Sequence, residues 1–188
     1  MLVIAVHGAD IDGDRLPWTG RRHDDDATES TGAPSAQGLF DAVFHALHDG
    51  EQVAIGFDCP LSTPADPGAP DEAGLLAQAD GFAAPPALVE LRRLVSELGT
   101  WRPWTIVTTS LPRWRATTSV LLWEALDGAG APVPPLDAIE AFFGLVRSRD
   151  ESHARPGEGT LNLAAAAAVH SEATADPAEL TNPVVRIG

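Results

Sequence analysis

The sequence predicts an α/β domain in which buried parallel strands alternate with helices. Residues 2–7, LVIAVH, and residues 53–57, VAIGF, are short, almost wholly apolar runs, the composition of strands covered on both faces. Between them Leu39, Phe40, Val43, Phe44 and Leu47 recur every three or four residues, which is the period of one helix face. Strand, helix, strand with both strands wholly apolar is the pattern of a parallel βαβ unit.

The remaining elements follow in order. Residues 8–34 lose almost all hydrophobicity, with Ile11, Leu16 and Trp18 as the only large apolar side chains, and read as a weak hairpin and then a mobile loop. The helix from Ser35 stops at Asp49-Gly50. Residues 61–70, rich in Pro, Ser and Gly, read as loop, and a short helix is expected over 71–80. Pro85-Pro86 opens a stronger helix that turns Leu88, Leu91, Val95 and Leu98 inward and stops at Gly99. Residues 105–109, TIVTT, alternate like a strand. Apolar spacings of three and four predict helices at about 117–127, 136–148 and 160–172. VVRI at 184–187 suits an edge strand or a segment that packs down. No internal repeat or domain boundary is visible, so residues 1–188 are expected to form a single domain.

With 188 residues and 44% hydrophobic side chains, the chain can bury a substantial core. Its net charge is −15, and all twelve basic residues are arginines. Such a field repels polyanions and disfavours tight duplex binding, while tolerating a metal, a small cation or a basic protein surface. Nucleotides or single-stranded nucleic acid would need a local concentration of arginines. One cysteine, Cys59, excludes an internal disulfide and points to a reducing, cytoplasmic setting. The start, MLVIAV, lacks a basic lead-in and reads as a strand, and no apolar run is long enough to span a membrane.

Asp58 ends the second apolar run, and open α/β sheets place ligands at the carboxyl ends of their strands. A carboxylate there needs a metal, an arginine or backbone amides to offset burial, or it simply caps the turn before Pro60. His7 ends the neighbouring strand, and an Asp–His pair can bind a metal or move a proton near neutral pH. A hydrogen-bonded structural histidine is the plainer alternative. Asp10, Asp12 and Asp14 alternate like a calcium loop, but Arg15 and Arg21 stand where that loop needs Gly and Glu. Asp10 can still reach the mouth of the first strand. Trp101-Arg102-Pro103-Trp104, Arg113-Trp114-Arg115 and Trp123 mix arginine with tryptophan, so Arg113, Arg115 and Trp114 are candidates to hold phosphate or stack on a base. The alternative is tryptophan core covered by arginine stems. Cys59 is expected to be a buried, inert thiol. No phosphate-binding glycine loop, zinc spacing or nucleophile elbow is present.

The opening apolar strand, the later strand ending in Asp-x-Pro-Leu (Asp58 to Leu61), and Thr118-Ser119-Val120-Leu121-Leu122-Trp123-Glu124-Ala125 together resemble the RNase H-like family catalogued as domain of unknown function 429. The late run Leu161-Asn162-Leu163-Ala164-Ala165-Ala166 is similar to that family's closing alanine-rich helix. The resemblance covers most of the chain outside residues 8–34. It implies an RNase H-like mixed sheet with helices packed around it. Active members of that fold hold two divalent metals, Mg or Mn, on acids closing the first strand, the fourth strand and the last helix. Asp58 matches the second position, whereas the first falls on His7 and the third near Asn162. Asp10 or Glu172 would have to compensate.

Two readings follow. One is a degenerate, catalytically silent RNase H-like module for binding or interaction. The other is a divergent metal-dependent phosphodiester hydrolase, with Asp58 and His7 on the metal, Asp10 nearby and Arg113 or Arg115 steering phosphate. The missing carboxylates and the acidic surface favour the first.

Overall fold

The computed structural model describes residues 1–8, 11, 15–23, 29–30, 35–68, 71–82, 86–101, 104–117, 119–148, 159–171 and 176–187, with the backbone alone at 29–30 and 101. In chain order the elements are β1 (Leu2–Val6), β2 (Trp18–Arg22), β3 (Glu29–Ser30), α1 (Ala36–His48), β4 (Val53–Phe57), β5 (Ser62–Pro64), α2 (Glu72–Gly81) and α3 (Pro86–Trp101). They continue with β6 (Thr105–Val107), α4 (Leu111–Arg115), β7 (Ser119–Glu124), α5 (Pro135–Ser148), β8 (Thr160–Asn162), α6 (Leu163–His170), a 3-10 turn (Pro177–Thr181) and β9 (Val185–Arg186).

The two apolar strands pair in parallel as expected, with α1 before the second. β1 and β4 run parallel with Leu2 opposite Val53 and Val6 opposite Phe57, but the chain passes through the antiparallel strands β2 and β3 before α1 leads into β4. α1 starts where the Ser35 hydroxyl accepts from the Gly38 amide at 3.1 Å, and buries Leu39, Phe40, Val43, Ala46 and Leu47. It ends at Gly50, whose φ of 78° is the left-handed conformation that glycine adopts freely. The sheet order is β3-β2-β1-β4-β7-β6. β2 and β3 are antiparallel to their neighbours, while β4, β7 and β6 are parallel, so the sheet is mixed. β9 also pairs parallel with β7, level with Trp123 and Glu124, while β6 pairs lower down at Ser119 to Leu121. The Val185 amide donates to the Thr108 carbonyl at 2.9 Å, which joins β9 to the end of β6.

Side-chain alternation gives the sheet two buried faces. Leu2, Ile4, Val6, Val53, Ile55, Phe57, Val120 and Leu122 pack against α1, α3 and α6. Val3, Ala5, Ala54, Leu121 and Trp123 pack against α5, where Trp123 stacks on Phe142 with ring centroids 4.8 Å apart. The domain is therefore α/β, a mixed sheet with helices on both sides. The alanines of α6 are all buried, and small side chains let it lie close to its neighbours: a Cβ on Gly99 of α3 would come within 2.9 Å of the Ser171 carbonyl. Among the described residues no helix is long and apolar enough to cross a membrane.

Several expectations change. The helix expected over 117–127 is the strand β7, buried at all six positions. A short unbroken apolar run satisfies helical spacing and two-sided strand burial alike, and its length decides for the strand. The helix expected over 160–172 begins with β8, which pairs antiparallel with β5 inside the segment read as loop. Within residues 8–34, β2 pairs antiparallel with β1 along five positions and with β3 at Gly20 and Arg21, while residues 24–28 and 31–34, part of the expected mobile loop, lie outside the described residues.

Candidate functional site

The parallel strands point their carboxyl ends the same way. Along that rim stand His7 after β1, Asp58 after β4, Glu124 closing β7, and Thr108 after β6. The chain places His7 and Asp58 at neighbouring positions, as the sequence implied, but their side chains take different partners. The Asp58 Oδ1 accepts from the Gly8 backbone amide at 2.6 Å. The His7 ring turns toward β2, where its Nε2 lies 3.2 Å from the Thr19 hydroxyl. Asp58 thus ties the two strand extensions together. Gly8 is needed for this approach, since a Cβ there would collide with Asp58 Oδ1 and lie 2.9 Å from the Ala87 Cβ. Asp10, placed by the sequence reading near this mouth, lies outside the described residues, as do Asp12, Asp14 and Glu172.

Sequence reasoning missed the most buried acid of the rim. Glu124 is 1% exposed. Its Oε1 accepts from the Leu61 amide at 2.8 Å, its Oε2 accepts from Arg186 Nε at 2.7 Å, and the ion pair brings Arg186 Nη2 to 2.5 Å from the same oxygen. A buried carboxylate is tolerated here because an arginine and a backbone amide satisfy both oxygens. The signal was available: Glu124 follows a continuous apolar run just as Asp58 does, but the helical reading of that run hid it.

A second polar chain stands behind β6. Glu179 accepts through Oε2 from the Thr108 amide at 2.7 Å and from its hydroxyl at 2.5 Å, and through Oε1 from Arg113 Nη1 at 3.0 Å. Arg113 also bridges to Asp176 at 3.2 Å. Asn162, fully buried, donates to Thr108 Oγ1 at 2.9 Å and to the Asn182 carbonyl at 3.1 Å, while its Oδ1 caps α6 at the Ala165 amide. Nothing in the sequence marks Glu179 or Thr108, because these contacts join segments about seventy residues apart.

The arginine–tryptophan constellation is largely structural. Trp114 is fully buried, and its indole donates to the Val53 carbonyl at 3.0 Å, so no ring face remains for stacking on a base. Arg115 donates to the Val146 carbonyl and Arg113 is committed to Glu179 and Asp176. Trp123 is core. Arg102 lies outside the described residues.

Cys59 is buried between the acids. Burial first, then the charges of Asp58 and Glu124, push its thiol up from 9.0 to about 12. It is protonated at neutral pH and unsuited to nucleophilic work.

Two divalent metals need several converging anionic oxygens. At the positions the resemblance implies, Asp58 holds a backbone amide, His7 faces Thr19 and Asn162 caps a helix. Among the described residues no group of three or more His, Cys, Asp or Glu is arranged to hold an ion. These residues do not fit the metal pair. Comparison with family models, curated proteins and solved structures returned no match.

Proposed function

We propose that this chain is a catalytically silent RNase H-like domain that acts by binding. The observation that carries the reading is the commitment of the rim acids. Arg186 offsets the charge of Glu124 while the Leu61 amide donates to it, and the Gly8 amide donates to Asp58, so the carboxylates serve as joints of the sheet. The antiparallel β1–β3 segment followed by parallel β4 and β7, with helices on both faces, is compatible with the scaffold that the sequence resemblance implies. Function here is argued from the site, since one scaffold hosts many activities. A net charge of −15 favours a cationic ligand or a basic partner over a polyanion.

The test compares wild type with Asp58→Ala in Mg²⁺ and Mn²⁺, reading melting temperature and cleavage of single- and double-stranded substrates. A ligand that binds only the folded state stabilises it. The binding reading expects no metal-dependent shift and no cleavage. A shift or cleavage present in wild type and abolished in Asp58→Ala would replace it with the metal-dependent hydrolase.

A further inference from the structure

We draw no further inference here: the strongest candidate, the partly exposed side-chain cluster of His7 and Asp58 at the carboxyl ends of β1 and β4, belongs to the strand-end rim already described.

Discussion

Arg186 places both Nε and Nη2 on a single oxygen of Glu124, leaving the other oxygen to the Leu61 amide. This pair joins the end of β7 to β9 across 62 positions of sequence. Removing the arginine strands a charge that is 1% exposed. Arg186→Met should therefore cost about 3 kcal/mol, toward the low end for a broken buried pair because the arginine is itself partly exposed. Glu124→Gln keeps an acceptor for Leu61, so adding it to Arg186→Met should restore part of the loss. Urea unfolding of both single variants and the double variant measures this coupling, and additive losses would refute it.

Cys59 makes the alkaline limb unusually simple. The chain has no tyrosine, and its basic residues are all arginines, which stay charged. The thiol sits at about 12 in the folded chain against 9.0 for the free group. Above pH 9 the unfolded chain releases this proton while the folded chain keeps it. Stability present below pH 9 should then be lost between pH 9 and 12, by up to about 1.4 kcal/mol per pH unit. Cys59→Ala should flatten that slope in denaturant titrations at pH 8 to 11. In wild type the thiol should resist alkylation at pH 8 until urea is added.

Gly56 lies on β4 directly under Trp123, and a Cβ there would come within 2.5 Å of the ring atoms Cε2 and Cη2. Trp123 is fully buried and stacked on Phe142, so it has no room to withdraw. Gly56→Ala should cost about 3 kcal/mol through overpacking. A thermal melt close to wild type would show that the indole can move.

Asn162 occupies the place where the sequence resemblance looks for an acid. Asn162→Asp keeps the oxygen that caps α6 but removes the donors to Thr108 Oγ1 and the Asn182 carbonyl. It brings a negative group close to Glu179 through Thr108. The expected cost is about 2–4 kcal/mol at pH 7, smaller at low pH where the new carboxyl is protonated. Mg²⁺ should not restore the lost stability, and restoration would favour a latent metal site.

The parts of the fold that were legible in the sequence are those that local pattern determines. β1, β4, α1, α3 and α5 carry unbroken apolar runs or clear helical spacing, and they lie where the pattern puts them. β7 was misread because six consecutive buried positions carry no period of their own. β5 and β8 were missed because each is three residues long and exists through its pairing with the other. At the rim, the placement of His7 and Asp58 followed from the two parallel strands. The partners that decide what Asp58, Glu124 and Glu179 do did not. Gly8, Arg186 and Thr108 are ordinary residues in sequence and acquire their roles only when distant segments meet.

The shared edge of β7 also bears on how the chain reaches its native state. β6 pairs with the lower half of that edge early in sequence, but the upper half waits for Val185 and Arg186. A half-assembled sheet with β7 docked and β9 absent would enclose the Glu124 charge without its counter-ion. Such an intermediate is electrostatically penalised, so closure of the last β7 positions and arrival of the distant arginine should occur as one cooperative event rather than in sequence.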